Sequence, residues 1–556
     1  MTSVVTAGGA SVTLRGGAVH ESETVLERLV SDGVPGRLAS AAPGLWGPDA
    51  AATAARRLGW LDLPARSRPL LGRLAELAGE ARGAGLDRVV LAGAGGSALA
   101  AEAVTRTAGV ELTVLDGSDP HQARAALEDE RLARTLVVVS SLSGASVETD
   151  AHRRIFEAAF RRAGITGAEL ARRFVAVTAP GSPLEAAARD AGYRLVPADA
   201  DTAGRYAALG APGLVPSALA GADVARLLEE AAALAPALRQ PYDNPALALG
   251  AALGAAALAG RDKLVIADHG SGLAGFAGWA EHLVAESTGK GGRGLLPVVV
   301  ESVDAPGFAA APGHCRVLLG SRADAPGPGR ESGLSVAGPL GAQFLLWEYA
   351  VAVAARVIGV NPFDEPDVRA SREDTAGLLR SEDGAGPTVV NRPPALVSGA
   401  VEVHDPGGML KGARDLPGAL ETLLDAVPDR GYLAVLAFLD RWGDPDAAGM
   451  RSLLADRGAA VRKNPVPVTF GWAPRGLHAA GQYHKGGPSG GVFLQITGEV
   501  AADVAVPGRP YTLGELQRAQ AYGDMRTLRS IGRPVVRLHL RDRVDGLAQL
   551  TKALTS

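Results

Sequence analysis

Short apolar, β-branched runs recur along the chain, each closed by a Gly or Ser turn and followed by an Ala-rich stretch with helical spacing. Arg88-Val-Val-Leu-Ala leads into Gly93-Ala-Gly-Gly-Ser97, and Thr135-Leu-Val-Val-Val into Ser140-Ser-Leu-Ser-Gly-Ala-Ser146. Phe174-Val-Ala-Val-Thr178 leads in the same way into Ala179-Pro-Gly-Ser182. Such alternation predicts right-handed βαβ crossovers that build a parallel sheet with helices on both faces and ligands at the carboxyl ends of its strands. A helical stretch from Ala222 to Leu238 and the turn Pro241-Tyr-Asp-Asn-Pro245 open a second series. It holds a strand at Lys263 to Ala267, a helix around Trp279 to Ser287 and a strand at Cys315 to Leu319. A Gly- and Pro-rich loop from Ala323 to Gly341 and a helix from Ala342 to Val357 complete it. The stretch from Ala385 to Pro394 reads as a connection. Strand candidates follow at Tyr432 to Phe438, Val466 to Phe470, Gly491 to Thr497 and Val535 to Leu540. The pattern divides the chain into an N-terminal extension (1–50), two α/β domains (51–240 and 241–390) and a C-terminal α/β portion (391–556).

Composition narrows the picture. A chain of 556 residues, 47% hydrophobic and 21% charged, has core enough for several packed units and lacks the signature of disorder. The formal net charge of −4 is spread without a basic block, so no footprint for nucleic acid is visible. Cys315 is the sole cysteine, which excludes an intrachain disulfide and fits a reducing cytoplasm. The start of the chain lacks a signal-peptide pattern. The most apolar run, Ala246 to Gly260, is short, so neither secretion nor a membrane partner is expected. Only six of the 56 basic residues are lysines, a bias that makes an Arg in place of Lys a weak sign of lost function.

Gly93-Ala-Gly-Gly-Ser97 follows a strand and opens a helix, which aims backbone N–H groups and the Ser97 hydroxyl at an anion or a sugar hydroxyl. Its glycine spacing departs from the dinucleotide fingerprint, and glycines that merely permit a tight turn are the other reading. Ser140 to Ser146, followed by Glu148 and Thr149, also joins strand to helix. Its hydroxyls and helix-start amides form a phosphate cradle, with N-capping by serine as the competing reading. Two such turns at successive strand ends open onto one sheet edge, which strengthens the ligand reading. Glu286 ends an apolar helix beside a Gly-rich turn, where a carboxylate is either half-buried and tuned for base chemistry or simply solvated. His478 precedes a turn and is either an acid–base group near neutral pH or structural. No compact His and carboxylate cluster suited to a metal is evident, so no metal is expected.

These residues resemble phosphoglucose isomerases, particularly the bacterial form also found fused to transaldolase. The resemblance rests on the Gly-Gly-Ser turn at 95–97, Ser141-x-Ser143-Gly144-x-Ser146-x-Glu148-Thr149, and Gly204-Arg-Tyr206 leading to Gly213-Leu-Val-Pro216. It continues through Trp279-Ala-Glu-His-Leu-Val-Ala-Glu-Ser-Thr-Gly-Lys290, Trp347-Glu-Tyr-Ala-Val-Ala-Val, Asn361-Pro-Phe-Asp-Glu-Pro366 and Gly481-Gln-Tyr-His-Lys-Gly-Gly487 before Val492-Phe-Leu-Gln-Ile496. It implies an α/β fold of two doubly wound sugar-isomerase (SIS) type domains with parallel sheets plus the C-terminal α/β portion. It also implies a cytoplasmic homodimer that interconverts glucose 6-phosphate and fructose 6-phosphate without cofactor. By position, Glu286 matches the base that moves a proton between C2 and C1 through a cis-enediol. Arg205 matches the arginine at the enediolate oxygens, His478 a ring-opening histidine, and Arg372 stands where a ring-opening lysine is expected. Ser141, Ser143, Gly144 and Ser146 match the phosphate loop, with Gly96 and Ser97 on the sugar side. Departures fall inside these motifs. Leu142 replaces a frequent Lys, Ala145 a Gly or Thr, and Ser146 a Thr, while His282 replaces a Gln in the helix before Glu286. Glu365 replaces a Gln and is awkward beside a phosphosugar unless Arg372 pairs with it. A non-catalytic sugar-phosphate binder and an isomerase of another phosphosugar remain the alternatives.

Overall fold

In the computed structural model the chain starts with an antiparallel hairpin, β1 (Thr2–Ala7) and β2 (Ala10–Arg15). The structure describes residues 1–128, 130–320, 333–380, 393–462 and 465–556, and of Ser97 the backbone alone. Most of the expected connection at 385–394 and of the expected loop at 323–341 therefore lies outside the described residues. Strands β3 (Arg88–Gly93), β4 (Thr113–Leu115), β5 (Thr135–Ser140), β6 (Phe174–Thr178) and β7 (Arg194–Pro197) form an all-parallel sheet in the order β4-β3-β5-β6-β7. Its strands bury both faces. Val89 and Leu91 of β3 enter the largest apolar core, whereas Val90 and Ala92 enter a second one with Phe156, Phe160 and Phe174. This is why β3 and β5 read as continuous apolar runs rather than alternating ones.

The second sheet holds β8 (Lys263–Asp268), β9 (Leu296–Val300), β10 (His314–Leu319) and β11 (Gly333–Ala337), all parallel, in the order β1-β2-β11-β10-β8-β9. Residues 2–15, expected as part of an extension, thus extend this sheet by pairing β2 antiparallel with β11. The tail of the expected loop is a strand instead. Leu334 and Val336 of β11 are buried between β10 and β2, a placement that overrides the Gly- and Pro-rich composition just before them. The third sheet holds β12 (Leu396–Ser398), β13 (Val401–His404), β14 (Tyr432–Phe438), β15 (Val468–Trp472), β16 (Gly491–Gly498) and β17 (Val535–Leu540). Their order is β12-β13-β17-β16-β14-β15, with β14 to β17 parallel. A shared core joins the second and third sheets, with Val265, Ala267 and Val298 on one side and Tyr432, Ala434 and Leu436 on the other.

Two apolar helices, Pro245–Leu258 and Leu340–Ile358, pack together behind the second sheet. Their closeness depends on Gly250 and Gly254, where an added Cβ would lie 2.7 Å from the Ala350 carbonyl oxygen and 2.6 Å from Val357 Cβ. Leu340–Ile358 is long and apolar enough to cross a membrane by length and composition, yet it is 89% buried within the chain's own core.

Candidate active site

The carboxyl ends of β3, β5 and β6 meet the helices Phe276–Thr288, Arg369–Leu379 and Arg475–Ala479 around a cavity of about 950 Å³. Gly96, Ser141, Ser143, Ser146, Arg205, His282, Glu286, Glu365, Arg372 and His478 all line it. Gly144 does not, and the Ser97 side chain lies outside the described residues.

Backbone geometry explains the glycines. At Gly96 a Cβ would lie 2.6 Å from the Gly204 carbonyl oxygen and 2.8 Å from Arg205 Cα, so only glycine lets the turn Gly204–Tyr206 press Arg205 into the cavity. Gly144 has φ +66° and turns the serine loop over, with Ser182 Cβ and Leu184 N each 2.8 Å from where its Cβ would be. The loop is cross-braced by Ser141 Oγ and Ser146 Oγ at 2.9 Å and by the Gly144 N–H donating to Ser141 Oγ at 3.1 Å. Ser146 stands at the N-cap of helix Val147–Arg162 without a capping hydrogen bond from its side chain, so its hydroxyl stays in the cavity wall. Leu142 also lines the cavity and lies against Gly204, within van der Waals range of an added Cβ there.

Arg205 is the electrostatic hub. It is fully buried, and its Nε and Nη2 donate to the Pro362 carbonyl at 3.1 and 2.9 Å. Nη1 donates to Glu365 Oε1 at 2.7 Å and lies 3.2 Å from Glu286 Oε2. His282 and Glu286 stand one helical turn apart on one face of Phe276–Thr288, and the ring Nε2 comes within 3.2 Å of the same Glu286 oxygen. Burial, followed by the Arg205 charge, holds the imidazole down at about 3, so it is neutral. Burial and then the negative charge of Glu365 push the Glu286 carboxyl up to about 8, against the opposing pull of Arg205. Burial would also raise Glu365, but Arg205 and Arg372 outweigh it and hold this carboxyl at about 2. One carboxyl of the cavity is therefore poised near neutrality and its neighbour is fixed as an anion, an arrangement that separates proton-transfer and structural roles. Glu365 also meets Arg372 Nη2 at 3.4 Å, because the chain after Pro366 turns into the helix that carries Arg372. Lys290 braces the loop bearing Glu365 by donating to the Asn361 carbonyl and pairing with Asp364 at 2.9 Å.

His478 sits on the opposite wall with its ring Nε2 3.0 Å from Glu148 Oε1. Gln520 donates to the same oxygen at 2.5 Å. Burial would raise Glu148, but the partnership with His478 prevails and holds it at about 2. Neither Glu148 nor Gln520 is among the site residues that the sequence motifs assign. Glu148 lies within the serine motif, so its position was readable, but Gln520 is distant in the chain and offered no signal. Lys485 also lines the cavity, with Nζ 2.7 Å from the buried Asp524.

The arrangement is suited to moving a proton next to a developing oxyanion, since a near-neutral carboxyl and a fixed guanidinium face one space beside a hydroxyl-rich anion cradle. No family model matches the chain. The chain is 36% identical over 218 residues to a probable glucose-6-phosphate isomerase of Haloarcula marismortui, a match covering 38% of this chain and 49% of that protein. It therefore spans about half the length of that curated relative, and the same holds for a second haloarchaeal one, of Natronomonas pharaonis. With a glucose-6-phosphate isomerase of Symbiobacterium thermophilum it shares 30% identity over 395 residues, 58% of this chain and 86% of the relative. Among solved structures, a hypothetical protein of Thermus thermophilus aligns over 66% of this chain and all of its own, with TM-score 0.56 and 22% identity. A glucose-6-phosphate isomerase of Chlamydia trachomatis aligns over 68% of this chain and 89% of its own, with TM-score 0.53 and 18% identity. These structural likenesses concern the fold, and they agree with the expected α/β class of doubly wound, parallel-sheet units of sugar-isomerase type.

Proposed function

The chain belongs to the glucose-6-phosphate isomerase family, and from that premise we propose that it interconverts glucose 6-phosphate and fructose 6-phosphate by proton transfer through a cis-enediol. The observation that carries the reading is the Glu286 carboxyl, poised near neutrality 3.2 Å from the Arg205 guanidinium in the wall of the cavity. The serine loop, Ser141 to Ser146, holds the phosphate with hydroxyls and helix-start amides. His478, steadied by Glu148, assists opening of the cyclic sugar. Ionised Glu286 then removes the C2 proton of the open aldose, and the electron pair moves to give an enediolate whose oxygen charge faces Arg205. The C2 hydroxyl proton passes to the C1 oxygen, and protonated Glu286 returns its own proton to C1 as the C2 oxygen becomes the ketone carbonyl, so atoms and charge balance with no added reagent. The proton on Glu286 exchanges with water during the lifetime of the enediol.

The test is turnover of fructose 6-phosphate in a coupled assay, run beside isomerisation in deuterated water. Turnover with deuterium entering the sugar at C2 supports the reading, whereas turnover without label would indicate a hydride shift. A protein whose melting temperature rises with fructose 6-phosphate but which turns none over would instead be a binder.

A further inference from the structure

Around the cavity the positive groups are nearly all matched by carboxylates. Arg205 is shared by Glu286 and Glu365, Arg372 meets Glu365, and Lys485 meets Asp524. Arg57 lines the same cavity and stands apart, because among the described residues no carboxylate lies within ion-pair distance of its guanidinium. Its Nη1 donates to the Ala200 carbonyl at 3.0 Å, a contact with a backbone dipole that leaves the charge uncompensated. The nearby acidic residues are engaged elsewhere. Asp199 and Asp201 both pair with Arg66, at 2.5 and 3.0 Å. Glu365 borders a smaller adjoining cavity together with Arg57 and is held by Arg205 and Arg372.

The position of Arg57 is also fixed. Leu58 forms a β-bridge with Thr202, and the Gly59 N–H donates to the Asp201 carbonyl at 3.0 Å, which stitches residues 57–59 to the loop that leads into Arg205. A phosphate dianion in this cavity meets hydroxyls and amides on the serine loop, where Leu142 and Ala145 bring no charge. Neutral donors alone compensate a partly desolvated dianion poorly, whereas a guanidinium supplies charge and a fork of donors together. We propose that Arg57 is a phosphate-binding residue that supplies the countercharge for the substrate's phosphate. The proposal rests on the reading of the cavity as a phosphosugar site.

Arg57→Gln and Arg57→Lys test it on the whole protein. Gln keeps an N–H for the Ala200 carbonyl and removes the charge, while Lys keeps the charge. The expected result for Arg57→Gln is a KM for fructose 6-phosphate and an inhibition constant for inorganic phosphate both raised about tenfold, with kcat within about twofold. Arg57→Lys should recover most of the loss, and inhibition by uncharged sorbitol should be the same in all three proteins. Unchanged KM and phosphate inhibition in Arg57→Gln, a fall in kcat alone, or equal weakening of sorbitol overturns the proposal while leaving the isomerase reading intact. A wild-type protein that neither turns over fructose 6-phosphate nor is stabilised by it overturns the isomerase reading and this proposal with it.

Discussion

Glu286 and Glu365 stand in one cavity with carboxyls at about 8 and about 2, and the difference comes from where Arg205 and Arg372 lie relative to each. A base acts only when ionised, so kcat/KM is expected to rise with pH along an acid limb near 8 rather than in the ordinary carboxylate range. Glu365→Gln removes a negative neighbour and leaves Arg205 to Glu286 alone, and both changes favour the ionised base. The limb should therefore shift to lower pH in that variant, and a limb that stays in place would break the link between the two carboxyls. Glu286→Gln should lower turnover by about 10²–10⁴ with little change in melting temperature, and near-native turnover would remove Glu286 from its role. Glu365 and Arg372 touch at 3.4 Å, but Arg372 is largely exposed, so solvent screens the pair. A double-mutant cycle in kcat/KM with Glu365→Gln and Arg372→Lys should give a coupling below about 1 kcal/mol yet distinct from zero. Strict additivity would mark the two departures as independent.

At the scale of elements, most strands were legible because their apolar runs are flanked by turn residues. Phe174–Thr178 and Val535–Leu540 match the expected bounds, and the helix expected around Trp279 starts only three residues earlier, at Phe276. The hairpin β1–β2 is not legible in the sequence, because its exposed strand carries no core of its own until β2 pairs with β11. Helix propensity and packing conflict in the seam between Pro245–Leu258 and Leu340–Ile358. Propensity favours Gly250→Ala by about 1 kcal/mol. A Cβ placed 2.7 Å from the Ala350 carbonyl meets backbone that cannot turn aside, and overpacking costs about 1–3 kcal/mol. The contact should win, and Gly250→Ala should melt earlier than wild type with an unchanged pH profile. A higher melting temperature would show that the helices separate at little cost.

For the whole molecule, a buried charge cluster is among the contacts that dock the C-terminal portion on the first sheet's unit. Arg475 begins the short helix that carries His478, and its Nη1 reaches Glu102 at 2.5 Å and Asp116 at 2.6 Å across the junction. Arg441 adds a second guanidinium 3.0 Å from Glu102. Burial would raise the Glu102 carboxyl, but the two arginines hold it at about 2. Removing one member of a buried set strands the others, at a cost of about 3–5 kcal/mol. Arg475→Met should therefore lower the melting temperature and reduce turnover of cyclic fructose 6-phosphate, while Arg475→Lys should recover part of both. Full activity in a less stable Arg475→Met protein would separate docking from catalysis.

The sequence by itself determined the α/β class, the strand-turn-helix units and the candidates carried by local motifs, because strand burial, glycine turns and the helical spacing of His282 and Glu286 are short-range properties. Tertiary structure decided which charges meet. Arg205 gains Glu286 from 81 positions away and Glu365 from 160, a proximity created by the packing of the turn Gly204–Tyr206 and the helix Gly96–Ala108 against the helix Phe276–Thr288 and by the loop at 361–366. The same holds for Glu148 and Gln520 at His478 and for the uncompensated charge of Arg57. A charge's worth depends on its neighbours and on how much water they exclude, and neither is written along the chain.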